Sequence, residues 1–204
     1  TLTATSTYDY TYAGGQLTVT VDAPSGVRST TTDAAARTVK ATDHGGQLRY
    51  DYDSNGNLLT VHHGSDLVAE NTYDAYGRQT SLWAPGAGNT EYRYNAIGNL
   101  SWQKDANANE VTLEYDNLGR LTRRYAPEGN TQYAYYNLNG HINDNPMAVT
   151  GPGVTRSFAY DSHFRLQQAT SIINGVTYIT SYQNNDFGQV TSTTYPSGLL
   201  LSGE

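Results

Sequence analysis

Residues 115–121 have the sequence Tyr-Asp-Asn-Leu-Gly-Arg-Leu, and versions of this phrase recur along most of the chain. Five copies begin 21 residues apart, at Tyr52, Tyr73, Tyr94, Tyr115 and Tyr136. Two more follow at a spacing of 24 residues and begin at Tyr160 and Asn184, and Thr32–Arg37 is a weaker copy before the first. A fixed period of this length is the sequence pattern of a repeat architecture, so the repeat decides the fold.

The chemistry of the phrase predicts a hairpin turn. The tyrosine ends a strand, and the following Asp or Asn bonds its own backbone two residues on. Glycine takes the corner with positive φ, and Arg or Asn followed by Leu opens the returning strand. We therefore predict that the residues with structural roles in the turns are Tyr52, Asp53, Gly56, Tyr73, Asp74, Gly77, Arg78, Tyr94, Asn95, Gly98, Tyr115, Asp116, Gly119, Arg120, Tyr136, Asn137, Gly140, Tyr160 and Asp161.

A second turn signal, rich in Pro and Gly, falls about half a period later, as at Pro85-Gly86 and Pro127-Glu128-Gly129. Between turns the residues alternate with period two, as Leu48, Tyr50 and Tyr52 do, which indicates half-buried strands. Each repeat is then two strands and two turns, about 18 to 20 strands in all. We predict an all-β fold of antiparallel hairpins of about 21 residues that form a curved, spiralling ribbon. The two 24-residue spacings predict longer second turns, around residues 143–153 and 171–176.

Composition narrows the class of protein. Leu, Ile, Val and Phe make up only about 17% of the 204 residues, but 18 tyrosines at fixed repeat positions supply apolar area that can stack between repeats. A net charge of −7 with only two lysines argues against a nucleic-acid partner. The chain has no cysteine, and its longest apolar run, Leu199-Leu200-Leu201, is too short to span a membrane.

The repeat crosses every boundary that could divide the chain. We therefore predict a single domain over residues 1–204, with clear repeats from about 30 to 198. Because the pattern is cut off at Glu204, we expect a fragment of a longer chain whose partners are the remaining repeats or other copies, through strand edges.

The phrase resembles that of the Rhs or YD-repeat family, whose Tyr-Asp pair stands at 52–53, 73–74, 115–116 and 160–161. The resemblance covers roughly residues 30–198. It implies a ribbon coiled into a hollow cocoon-like shell that encloses a toxic polypeptide, in a secreted or cell-surface bacterial protein. The Asp-Pro-rich C-terminal segment of full members is missing, so self-cleavage is not predicted.

Two other architectures fit parts of the pattern. Pairs of repeats could form 42-residue, four-stranded blades of a β-propeller. Alternatively, tyrosine-rich hairpins could form an extracellular carbohydrate-binding or adhesion surface, which is our alternative function. Such a surface needs an aromatic cage at a fixed repeat position. Trp83 lies 10 residues after its repeat tyrosine and Trp102 lies 8 after its own, so no cage recurs.

No motif in the sequence predicts catalysis, a metal or a cofactor. Asp51–Gly56 matches the first half of a calcium loop, but His62 stands where the closing Glu should fall. His62 and His63 are adjacent and should point to opposite faces of a strand, and Ser162 and His163 are neighbours of Asp161 within one turn phrase. We therefore expect a non-enzymatic protein with no catalytic, cofactor-binding or metal-binding residues.

Overall fold

The fold is all-β. The computed structural model describes residues 5–138 and 141–202, and of residues 136–143 it describes no side chains. No helix occurs within these ranges, and hence none that could cross a membrane. The strands are β1 Thr7–Ala13, β2 Gln16–Ala23, β3 Gly26–Thr32, β4 Thr38–Asp43, β5 Gly46–Tyr52, β6 Leu58–His63, β7 Asp66–Tyr73, β8 Gln79–Ala84, β9 Gly88–Tyr94, β10 Leu100–Lys104, β11 Glu110–Tyr115, β12 Leu121–Tyr125, β13 Thr131–Leu138, β14 His141–Gly151, β15 Val154–Tyr160, β16 Leu166–Ile173, β17 Val176–Asn184, β18 Val190–Thr194 and β19 Leu200–Ser202.

The chain divides into two compact units. The first contains Thr1–Tyr92 and Lys104–Ala108, and the second contains Arg93–Gln103 and Asn109–Glu204. The single domain over residues 1–204 stays a prediction. In the first unit strands β1 to β9 pair antiparallel in chain order, each of β1 to β8 with the strand after it. In the second unit the strands from β11 to β19 do the same.

The predicted repeat of antiparallel hairpins is therefore confirmed. A propeller would interrupt the pairing after each four-stranded blade. Within each unit the pairing continues through nine strands without such an interruption, which is incompatible with 42-residue blades.

The sheet has almost no conventional core. Among the described residues, Val111 is the one buried apolar side chain, and Thr31 and Asn71 are buried and polar. Strands such as β5 alternate between half-buried and exposed residues, as predicted for Leu48, Tyr50 and Tyr52. Strands contact only their immediate neighbours in the described contacts, which is the quasi-one-dimensional arrangement of repeat proteins.

The two 24-residue spacings are accommodated differently from the prediction. The turns at residues 152–153 and 174–175 contain only two residues each. The extra residues lengthen strands instead, since β14 has 11 residues and β16 and β17 have 8 and 9. Both strands of a hairpin can grow together because added residues pair with each other and leave the register beyond them unchanged.

The first residues of the turn predicted at Tyr136 lie in a strand. Strand β13 continues through Tyr136 and Asn137 to Leu138, and Asn137 pairs with Ile142. Gly140, the predicted corner of this turn, lies outside the described residues. Register shifts on both sides of Tyr135 account for the difference, because each bulge changes which residue faces which side of the sheet.

Left-handed turn corners give a first test of stability. Gly119 has φ 80°, and the equivalent corner of the turn Asp33–Arg37 is Ala36 with φ 59°. We expect Gly119→Val to lower the free energy of unfolding by about 1–3 kcal/mol, because β-branched residues resist positive φ. The control Ala36→Gly should raise it or leave it unchanged, since glycine relieves the same strain. Urea unfolding followed by circular dichroism measures both, and a wild-type midpoint for Gly119→Val would contradict the assignment.

Candidate functional site

The side chain at the second position of the phrase organises each turn. Asp74 Oδ1 accepts hydrogen bonds from the backbone N–H groups of Tyr76 at 2.9 Å and Arg78 at 3.0 Å. Its other oxygen, Oδ2, accepts from Arg78 Nε at 2.7 Å. The backbone closes the same loop, because Asp74 N donates to the Arg78 carbonyl and Gly77 N donates to the Asp74 carbonyl. One carboxylate thus satisfies two backbone donors that would otherwise have no partner within the turn.

The second-position residues of six other turns are bonded in the same way. The same pair of backbone donors reaches Oδ1 in Asp33, Asp53, Asn95, Asp116, Asp161 and Asn185. The glycine corners Gly56, Gly77, Gly98 and Gly119 have φ between 77° and 93°. Phe164 takes this corner, with φ 60°, in the turn of Asp161.

Sequence reasoning missed a pairing rule between the second and sixth positions of the phrase. Where the sixth residue is arginine, the second is aspartate and the two form an ion pair, as in Arg37–Asp33, Arg78–Asp74, Arg120–Asp116 and Arg165–Asp161. Where the second residue is asparagine, its partner is neutral, and Asn185 Nδ2 donates to Gln189 Oε1 at 2.9 Å. Comparing these two positions across the copies would have revealed the match from sequence alone.

The sixth residue also joins its turn to the next one along the ribbon. Arg37 Nη1 donates to the Asp53 carbonyl at 3.5 Å, and Arg165 Nη1 donates to the Asn185 carbonyl at 2.5 Å. In another repeat, Asn99 Nδ2 donates to the Gly119 carbonyl at 3.2 Å. Each link holds one repeat to its neighbour at the turn edge, in addition to the strand ladder.

The tyrosine column forms a second set of links. Five of these hydroxyls donate to a backbone carbonyl 14 or 15 residues earlier, in the strand before the tyrosine's own: Tyr52 to Thr38 at 2.8 Å, Tyr73 to Leu58 at 2.9 Å, Tyr115 to Leu100 at 2.7 Å, Tyr135 to Leu121 at 2.8 Å and Tyr160 to Pro146 at 2.9 Å. The predicted residue in the fifth copy was Tyr136, but Tyr135 makes this bond. In the last copy Asn184 Nδ2 takes the same role toward Leu166.

Arginine and tyrosine columns meet between neighbouring repeats. The guanidinium of Arg37 lies 5.0 Å from the ring centre of Tyr52, and that of Arg120 lies 4.5 Å from the ring centre of Tyr135. Such cation–π contacts add attraction at sites that are partly shielded from water. Each of these arginines therefore contacts its own turn and the tyrosine of the following repeat.

These contacts and the burial of the tyrosines shift the pKa values of several side chains. The side-chain hydrogen bond from Arg78 lowers the pKa of Asp74, and the one from Asn57 lowers the pKa of Asp53. The backbone hydrogen bond from Arg165 is the main cause of the lowered pKa of Asp161. Burial raises the pKa of Tyr73, Tyr115 and Tyr160, so these hydroxyls, which are protonated at neutral pH in any case, ionise only at a higher pH than usual.

The alternative chemistries receive little support from this geometry. Both oxygens of Asp53 are engaged, with the backbone N–H groups of Asn55 and Asn57 on Oδ1 and Asn57 Nδ2 on Oδ2, so this carboxylate is a poor calcium ligand. His63 Nε2 lies 3.1 Å from the Gly45 carbonyl, whereas His62 lies 3.9 Å from Asp51. No group of three metal-ligating side chains occurs among the side chains that the structure describes, in residues 5–135 and 144–202.

Two further groups considered in the sequence also make only local contacts, namely Ser162 with His163 and the tryptophan Trp102. Ser162 Oγ lies 3.4 Å from His163 Nδ1, but the carboxylate of Asp161 is held by its own turn and by Arg165. Of the two tryptophans, Trp102 has the guanidinium of Arg93 4.1 Å from its ring centre, and its Nε1 donates to Glu110 at 3.3 Å. One face of this indole is therefore covered.

The tyrosine links predict a measurable loss when one hydroxyl is removed. Tyr115→Phe should lower the free energy of unfolding by about 0.5–1.5 kcal/mol, because the Leu100 carbonyl loses its side-chain donor. Tyr10→Phe is the matched control, since Tyr10 is 69% exposed. Chemical denaturation of both variants tests the link, and equal midpoints would show that the hydroxyl bond contributes nothing.

The lowered aspartate pKa values predict acid sensitivity. An unfolded aspartate titrates near pH 3.9, and its folded counterpart titrates lower, so the stabilisation is present at neutral pH and is lost as the pH falls through the folded value. Replacing the ionic pair by the neutral one in Asp161→Asn with Arg165→Gln should flatten the loss of stability between about pH 4 and pH 2. Asp186→Asn, an exposed neighbour, is the control. A slope identical to wild type in the double variant would refute this origin of the acid sensitivity.

Comparison with known proteins supports the fold. No protein-family model and no curated protein matches the chain. Among solved structures, the crystal structure of TcdB2-TccC3-Cdc42 matches 97% of this chain with a TM-score of 0.74 at 11% identity. TcdB2-TccC3 without its hypervariable C-terminal region matches 88% with a TM-score of 0.62 at 15% identity. The Photorhabdus luminescens Tc holotoxin pore matches 88% with a TM-score of 0.56 at 14% identity.

The chain spans only 14%, 12% and 13% of the lengths of these three matched chains. At such low identity the comparisons establish the fold alone. The chain has the β-sheet fold found in these Tc toxin components.

Proposed function

We propose that the chain is a non-catalytic wall segment of an Rhs or YD-repeat shell that encloses and protects a toxic polypeptide. The observation that carries this proposal is the TM-score of 0.74 to the TcdB2-TccC3-Cdc42 structure over 97% of the chain. The shared fold agrees with the Tyr-Asp phrase, which resembles that family. We infer a secreted or cell-surface bacterial protein in which other repeats continue the wall.

The hydrogen bonding of the repeat suits a barrier. Within each unit every strand pairs with the next, and the aspartate turns satisfy backbone donors that would otherwise be open to solvent. A protease must bind its substrate as an extended and accessible segment. A sheet paired in this way offers few such segments, so it protects both itself and whatever lies behind it.

The adhesion alternative has less support from the two tryptophans. A sugar-binding platform needs a free aromatic face, and the guanidinium of Arg93 covers one face of Trp102. Trp83 is half-buried within β8. Saturable quenching of tryptophan fluorescence by a glycan would favour adhesion over enclosure.

Protease protection in the natural polypeptide that contains this chain tests enclosure. We expect the native protein to resist digestion, with an internal cargo segment that is cut rapidly only after the wall is weakened. Gly119→Val should increase the rate of cargo cleavage, and Ala36→Gly should not. Mass spectrometry of the digestion products gives both rates. Cargo cleavage as fast in the native wild-type protein as in the denatured one would overturn the proposal.

A further inference from the structure

The hairpin formed by β16 and β17 leaves part of a strand edge open. Strand β17 pairs with β16 from Val176 to Ser181. On its other side, β18 pairs only with Ser181–Asn184, because β18 ends at Thr194 and the chain turns at Tyr195. Residues Val176–Thr180, here called the open edge, therefore have no strand partner on that side within residues 5–138 and 141–202.

The open edge has the composition that protein sheets usually avoid at an edge. Its sequence, Val-Thr-Tyr-Ile-Thr, combines β-branched and aromatic residues with no charge and no proline. Val176, Tyr178 and Ile179 are 53%, 43% and 44% exposed. These three residues occupy both faces of the strand, so the sheet beneath cannot cover them all.

Three of the other segments that extend beyond their next strand carry a charge. The segments of β3, β7 and β11 that extend beyond their next strand contain Arg28, Asp66 and Glu110. Charged side chains at such places oppose pairing with another chain. Residues 166–185, by contrast, form a stretch of 20 residues without a charged side chain.

We propose that the open edge is a strand-addition site that pairs antiparallel with the same segment of a second copy of this chain. Unpaired backbone N–H and C=O groups in a row are recognised by another extended backbone. Two copies with net charge −7 repel each other, and the uncharged stretch is where they approach without opposing like charges. This inference concerns assembly and does not depend on the proposed enclosure of a toxin.

The segment is complementary to itself. An antiparallel pair centred on Tyr178 places Val176 opposite Thr180 and Thr177 opposite Ile179 of the other copy. Aromatic and β-branched residues are favourable cross-strand partners. Because each copy presents the same patch, the contact closes as a two-fold dimer and does not extend into a fibre.

Sedimentation velocity of the 204-residue chain over a series of concentrations tests the dimer. We expect a concentration-dependent monomer–dimer equilibrium. Ile179→Lys places two lysines at diagonal positions on one face of the pair, replaces an apolar contact with Thr177, and should raise the dissociation constant at least about tenfold. Ile97→Lys is the matched control, because Ile97 is also exposed and apolar but lies in a turn, and it should leave the constant unchanged. Circular dichroism verifies that both variants are folded.

A cross-linking experiment tests the register independently of any lysine effect. The chain has no cysteine, so Tyr178→Cys introduces a single thiol at the centre of the proposed pair. Opposed residues in an antiparallel pair are close enough for a disulfide. Mild oxidation should give a disulfide-linked dimer faster than in Tyr76→Cys, whose position is exposed in a turn.

Three results would overturn the proposal. The first is a wild-type chain that stays monomeric at every concentration. The second is a Tyr178→Cys variant that cross-links no faster than Tyr76→Cys. The third is a dimer that survives Ile179→Lys but is lost in Tyr10→Lys, which would place the contact at β1.

Discussion

The fold depends on satisfying backbone hydrogen-bonding groups in a sheet that has almost no buried core. Val111 is the one buried apolar residue described, so apolar burial alone cannot hold the strands in place. The strand ladders pair most backbone N–H and C=O groups. In turns of the repeated phrase, the aspartate or asparagine side chain accepts hydrogen bonds from two further N–H groups that the ladders do not pair. The arginine and tyrosine columns then tie each repeat to its neighbour. Stability in this arrangement is a sum of similar local contributions.

These contributions to stability respond differently to pH. Ionic turns such as Asp74–Arg78 depend on a charged carboxylate, whereas the turn of Asn185 and Gln189 keeps the same backbone contacts with neutral groups. The tyrosine links do not titrate in acid, because a phenol ordinarily ionises near pH 10 and burial raises the pKa of residues such as Tyr115 further. Acid therefore weakens some turns of the ribbon selectively, while the tyrosine column is unaffected.

Much of this architecture could be predicted from the sequence, because most turns of the repeated phrase use similar residues for the same physical reason. The period, the glycine corner at Gly119 and the half-buried column at Tyr52 follow directly from turn chemistry and strand alternation. The fifth copy was different. A bulge moves one residue to the other side of the strand without any composition change, so the shift from Tyr136 to Tyr135 could not be seen in the pattern. The lengthened β16–β17 hairpin was missed for a related reason, since added residues that pair with each other resemble an added loop in sequence.

The restriction of contacts to adjacent strands has a consequence for how such genes change. Because each 21-residue repeat contacts only the repeats before and after it, tandem duplication or deletion of whole repeats leaves every remaining interface intact. Unequal recombination between copies can then alter the length of the wall in a single event. The matching of arginine with aspartate, and of asparagine with a neutral partner, lies inside one repeat, so both residues are inherited together when a repeat is copied.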